Sequence, residues 1–149
     1  MIRSFDSVML RTLLDPLVAA LQLLAVYALL HGHYSPGGGF VAGILLAASL
    51  ILPRLTRGHP TGRFALTPRG AAIMAAVGII FFAVIGVAPM VIGHDMLDYA
   101  VLPLGGEPAM RRSMGILLIE VGVTLAVAGA MLSIFYALSG PVGGEDPDV

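Results

Sequence analysis

Residues 114–138 read MGILLIEVGVTLAVAGAMLSIFYAL, twenty-five residues with a single charge, Glu120, and no proline. A helix crossing the hydrocarbon core of a bilayer needs about 20 mostly apolar residues. This stretch meets the requirement with the fewest interruptions in the chain, and it sets the fold class: an all-α integral membrane protein. Three more stretches qualify, over about residues 8–31, 38–53 and 71–92. Together the four predict a bundle of transmembrane helices within residues 1–139. Residues 140–149, rich in glycine and acid, read as a flexible tail.

Composition points the same way. Of 149 residues, 58% are hydrophobic and 11% charged, where a soluble domain has about a quarter of its residues charged. The net charge is −1 and lysine is absent, so no basic patch for nucleic acid exists. The absence of cysteine excludes disulfides, thiolate metal sites and thiol nucleophiles. Asp6 and Asp15 interrupt the early apolar region and no small-residue cleavage pattern follows, so the first span does not read as a cleaved signal peptide. No Ser/His/Asp or paired-carboxylate arrangement suits catalysis, and no enzyme or cofactor is expected.

Prolines mark the span limits. Asp15-Pro16 reads either as an N-cap with proline at the first helical position or as a kink inside a helix that begins near Ser7. The helical spacing of Leu10, Leu13, Leu14 and Leu17 favours the second. Pro53 is expected to end the second span, and Pro89 to kink the last turn of the third. Four spans put both termini on one side, with Arg3, Arg11, Arg54, Arg57, Arg63 and Arg69. The other side holds Arg111 and Arg112 beside Asp95, Asp98 and Glu107. The positive-inside rule therefore predicts that both termini are cytoplasmic.

Glu120 lies six residues into the last apolar stretch, about 9 Å along the axis. An acid at that depth costs a few kcal/mol on insertion scales and commonly marks an ion path. Ser113, Ile116, Glu120, Thr124, Val127 and Met131 share one face. Gly115, Gly122, Ala126, Gly129 and Ser133 form a roughly opposite stripe of small residues, which lets helices approach closely. The glycine face is expected to pack while the Glu120 face meets a second partner or a cavity. Thr124, one turn on, either shares a proton, water or cation with Glu120 or bonds its own helix backbone. The bland alternative for Glu120 is a hydrogen bond that only joins helices.

Small residues recur in the second span at Gly39, Gly43 and Ala47, with Phe40 pointing off that face, and in the third at Ala71, Ala75, Gly78 and Gly86. Stripes on three of four helices exceed what one small bundle would use, and they predict a spacer inside a larger membrane complex. The first connection, His31-Gly32-His33-Tyr34-Ser35-Pro36-Gly37-Gly38-Gly39-Phe40, is a tight hairpin. Its three consecutive glycines cost roughly 1 kcal/mol each against alanine in a helix, so bare backbone is needed there. His31 and His33, with His94 and His59, lack the carboxylate or cysteine spacing of a metal site; no metal is expected.

Three of these stretches carry a resemblance. Gly32-His33-Tyr34-Ser35-Pro36-Gly37-Gly38-Gly39-Phe40, followed by Val41-Ala42-Gly43, resembles the Gly-His-x-x-Pro-Gly-Gly-Gly-Phe element of the MnhB-type subunits of the multisubunit cation/proton antiporters, the Mrp or Mnh type. That family's conserved region is shared with modules of membrane-bound hydrogenases. Leu102-Pro103-Leu104-Gly105-Gly106-Glu107 is similar to its acidic approach to the last span, and Leu117-Leu118-Ile119-Glu120-Val121-Gly122-Val123 to its acidic-x-Gly-Val segment. Arg111-Arg112 departs from the pattern.

The resemblance implies a multi-pass accessory subunit in a bacterial inner membrane, beside large antiporter-like subunits, other small subunits and lipid. That complex would export Na+ in exchange for H+. Glu120 and Thr124 would line the ion path. Pro36, Gly37, Gly38, Gly39, Phe40, Gly43, Gly122 and Gly129 would serve helix packing and subunit contact. The alternative is a purely structural membrane subunit of a related complex, such as a membrane-bound hydrogenase, with no ion contact.

Overall fold

Four α-helices carry the computed structural model, which describes residues 8–32, 38–57 and 66–139: Val8–His31 (α1), Gly38–Arg57 (α2), Pro68–Val91 (α3) and Pro108–Ser139 (α4). A 3₁₀ turn at Tyr99–Val101 lies between α3 and α4, and no strand occurs among the described residues. All four helices are long and apolar enough to cross a membrane. His33, Pro36, Gly37, His59 and the tail from residue 140 lie outside the described residues.

The boundaries follow from local chemistry. Pro16 lies inside α1, the second of the two readings of Asp15-Pro16. The expected end at Pro53 is corrected, because α2 runs on to Arg57. A proline removes one donor and crowds the preceding turn, and side chains support the backbone around it. Arg54 Nη1 donates to the Leu50 carbonyl at 2.7 Å, and Thr56 Oγ1 donates to the Leu52 carbonyl at 3.0 Å. At the start of α3, Thr67 is the N-cap, its hydroxyl accepting from the Gly70 amide at 3.0 Å, with Pro68 at the first helical position.

Helix α3 ends in a Schellman motif. Gly93 (φ 84°) donates to the Met90 carbonyl and His94 to the Pro89 carbonyl, each at 3.1 Å. The chain then doubles back so that the Leu97 amide donates to the Gly86 carbonyl at 3.1 Å. Leu97 itself takes a left-handed φ of 69°, which costs a non-glycine residue about 1–2 kcal/mol.

The helices form an open row in the order α1, α2, α4, α3. Helix α4 packs extensively on both α3 and α2, α2 packs on α1, and α1 barely touches α4. The small-residue stripes make these contacts. A Cβ at Gly122 would lie 2.9 Å from the Phe82 amide nitrogen of α3, and one at Gly129 would overlap the backbone of Ala75. On the other side, a Cβ at Gly43 would come within 2.7 Å of Val127 Cβ and 2.9 Å of the Thr124 carbonyl oxygen. Ala42, Ala47, Ala71 and Ala128 are buried in these seams.

This corrects the inference drawn from the number of stripes. Those on α2, α3 and α4 meet one another within the chain, so they do not by themselves require neighbouring subunits. The expected partner of the Glu120 face is likewise internal: it is α2.

Candidate functional site

Glu120 and the glycine-rich hairpin form one site. The glutamate carboxylate lies against Gly32, which follows the end of α1, and against Gly38, which opens α2. A Cβ on either glycine would overlap its oxygens. A Cβ at Gly39 would strike the backbone of Glu120 itself. The glycines are therefore required by proximity: α2 starts against α4, and a carboxylate fills the space that side chains at 32 and 38 would occupy. The Glu120 Oε2 atom is buried.

The surroundings suit a carboxylate. The first four N–H groups of a helix have no intrahelical acceptor, and the N-terminus carries about half a positive charge. Glu120 sits beside that end of α2. The contact also fixes its depth. Helix α4 begins at Pro108, so Glu120 follows twelve residues of helix, about 18 Å at 1.5 Å per residue. Across from it, however, stand the first residues of α2. Glu120 is thus level with the mouth of the α1–α2 hairpin, with a long arm of α4 projecting past it.

Thr124 is one turn further on and buried. Its Oγ1 lies 2.8 Å from the Glu120 carbonyl of its own helix and 3.0 Å from the Gly39 carbonyl of α2, and its hydroxyl proton is shared between these acceptors. Phe40, on the same turn as Gly39, is 57% exposed on the outer surface of the row. His31 is exposed and stacks on Tyr27 with ring centroids 4.1 Å apart, its Nδ1 3.2 Å from the Tyr27 carbonyl oxygen. His94 lies on the α3–α4 connection with Nδ1 4.0 Å from Asp98 Oδ2. Arg111 and Arg112 belong to the start of α4, where the Arg111 amide donates to the Glu107 carbonyl at 3.1 Å.

Two further groupings escaped the sequence reading. Gly115 provides a seat for Tyr99: a Cβ there would lie 2.5 Å from the tyrosine Cβ and Cγ. Burial pushes the Tyr99 phenol above its usual range. At the opposite end, the Leu66 carbonyl accepts from Arg54 Nη2 at 2.6 Å and from the Tyr136 hydroxyl. The Arg54 guanidinium carbon stands 5.3 Å from the Tyr136 ring centroid. This knot ties the ends of α2 and α4 to the segment that leads into α3. Its signal in the sequence was an arginine and a tyrosine at the ends of apolar runs, where such amphipathic side chains concentrate.

An apolar row of four helices, with one carboxylate enclosed by glycine backbone, defines a multi-pass membrane protein organised by close helix packing. Residues 9–133 match the family model described as a domain related to the MnhB subunit of Na+/H+ antiporter, and the chain belongs to that family. It is 30% identical over 139 residues to the putative antiporter subunit mnhB2 of Staphylococcus saprophyticus and 32% identical over 139 residues to that of Staphylococcus haemolyticus. Each alignment covers 91% of this chain and 96% of the relative. Its identity to the corresponding B-type Na(+)/H(+) antiporter subunit of Bacillus subtilis is 31% over 113 residues, 70% of this chain and 78% of that one. No solved structure matches the chain.

Proposed function

We propose that this chain is an accessory subunit of a monovalent cation/proton antiporter complex in the bacterial cell membrane, and that Glu120 contacts the ion path. Family membership supports the first part. The second rests on one observation: the carboxylate of Glu120 is lodged between Gly32 and Gly38, at the mouth of the α1–α2 hairpin. A proton or a cation reaching that mouth meets a carboxylate, and any change in the carboxylate's charge acts on the start of α2. The subunit's partners on this reading are the large antiporter-like subunits and the other small ones. Sodium and protons pass through the assembly, and Phe40 is offered to a neighbour.

The test replaces Glu120 with glutamine, which keeps the shape and removes the charge. Everted vesicles carrying the whole complex should lose most Na+/H+ exchange while the subunits still co-purify. Full exchange by Glu120→Gln would remove Glu120 from the path.

A second reading has its own support. The Thr124 hydroxyl is committed to the Gly39 and Glu120 carbonyls, an arrangement that joins helices and leaves that proton unavailable to an ion. On this reading the Glu120–Thr124 pair only fastens α2 to α4. Glu120→Gln would then impair assembly and exchange in parallel.

A further inference from the structure

The open row leaves a cleft of about 620 Å³ with contributions from all four helices, including Val26 and Leu29 of α1, Leu46 and Leu50 of α2, Met74 of α3 and Leu125 of α4. Its walls are almost wholly apolar, and it reaches Leu66 at one end. There the walls change character. Arg54 lies one turn beyond Leu50, and its guanidinium donates to the Leu50 and Leu66 carbonyls. Among the described residues no carboxylate pairs with Arg54. A guanidinium has five donors, so after two backbone bonds it retains donors for an anion, in the fork geometry that suits phosphate. Arg69, exposed in the first turn of α3, adds positive charge at the same end.

Gln22 supplies the third polar feature. It lines the cleft from α1, ten residues before Gly32, and Gly32 abuts Gly38. Counting along the antiparallel pair brings Gln22 level with Ala48, about 9 Å short of Arg54 at 1.5 Å per residue.

The shape selects the occupant. A transmembrane helix of a neighbour, about 10 Å across and 30 Å long, fills roughly 2,400 Å³, far more than the cleft offers. A lipid tail, limited to one leaflet of about 15 Å, is long, thin and apolar, and it arrives attached to a head group. We propose that the cleft is a binding site for one anionic phospholipid. Its acyl chain lies along Val26, Leu46 and Leu125, its ester region faces Gln22, and its phosphate is held by Arg54. Basic pockets between transmembrane helices are a recurrent means of selecting anionic head groups. The proposal is independent of any role for Glu120.

The test uses the purified complex, delipidated in detergent and then supplied with phosphatidylglycerol or phosphatidylcholine. Native mass spectrometry should show phosphatidylglycerol retained on this subunit in preference to phosphatidylcholine. Arg54→Gln should weaken retention of phosphatidylglycerol roughly tenfold, the loss of about one charge-assisted hydrogen bond, and bring it to the level of phosphatidylcholine. Val26 is 54% exposed, so Val26→Trp can fill the cleft without entering a helix seam and should abolish retention of both lipids. That variant keeps the test decisive even if Arg54→Gln fails to assemble. Equal retention of the two lipids by the native complex would overturn the head-group assignment. Retention unaffected by Val26→Trp, or a photo-crosslinker at position 26 that captures a neighbouring protein instead of lipid, would overturn the site.

Discussion

At the scale of single residues, the informative pairing is Gly32 with Glu120. The three atoms nearest to a Cβ at Gly32 all belong to the glutamate carboxyl group, so that glycine is required by one side chain and not by backbone. Gly32→Ala should therefore displace the carboxylate and destabilise the fold, and Glu120→Ser in the same chain should relieve it. A double-mutant cycle on thermal stability should give a coupling of about 0.5–3 kcal/mol; simple additivity would mean that the two groups do not touch. Gly39 is different. Its Cβ would meet the Glu120 backbone, which no side-chain change can clear, so Gly39→Ala should cost about 1–3 kcal/mol as overpacking whether or not Glu120 is replaced. Thr124→Val removes the inter-helix bond to Gly39 with little change of shape. It should lower stability by about 1 kcal/mol, measured as a fall in melting temperature of the purified complex.

At the scale of helices, the seams decide which substitutions matter. Gly129 faces the backbone of α3 at Ala71 and Ala75, and Gly78 faces the backbone of α4 at Gly122 and Ala126. Alanine at either position should loosen α3 from α4 and reduce the yield of assembled protein in membranes. Phe40→Ala, on an exposed surface, should leave the chain folded and instead weaken co-purification of its neighbours. The helices were legible because hydropathy over 20 residues reports a membrane span directly. Their ends were less so. Pro53 reads as a stop until Arg54 and Thr56 are seen bonding the Leu50 and Leu52 carbonyls. The arm of α4 from Pro108 to Ser113 is invisible to a hydropathy reading because Arg111 and Arg112 lower it, though nothing prevents charged residues from being helical outside the bilayer. The site was legible only in pieces. Glu120 stood out as a lone acid and the hairpin as a glycine run, yet their meeting is a contact between distant segments, like the Thr124–Gly39 bond across 85 residues, and neither periodicity nor motif encodes it.

At the scale of the whole molecule, the two ends of the row differ, and the difference bears on orientation. The end reached by the tips of α2 and α4 and the start of α3 carries Arg54, Arg57 and Arg69, with Tyr136 seated beside Arg54. The other end carries Asp95, Asp98 and Glu107 along with Arg111 and Arg112, and there α4 extends about 18 Å beyond Glu120. Helix α4 has 32 residues, about 48 Å of helix, which exceeds a hydrocarbon core of about 30 Å. The excess must leave the bilayer, and the half with Arg111 and Arg112 is the polar one. If the arginine-rich end is cytoplasmic, as the positive-inside rule requires, the arm of α4 and the α3–α4 connection project from the outer face, and the hairpin mouth with Glu120 opens below them. The chain has no cysteine, so single introduced thiols report topology without background. Glu107→Cys, exposed just before α4, should react with a membrane-impermeant maleimide added to intact cells. Ser139→Cys, exposed at the far end of the same helix, should react only after the membrane is opened. The reverse pattern would invert the molecule and place Glu120 nearer the cytoplasmic surface. Protons would then reach it from the cell interior, and the direction assigned to its part in exchange would have to be reversed with it.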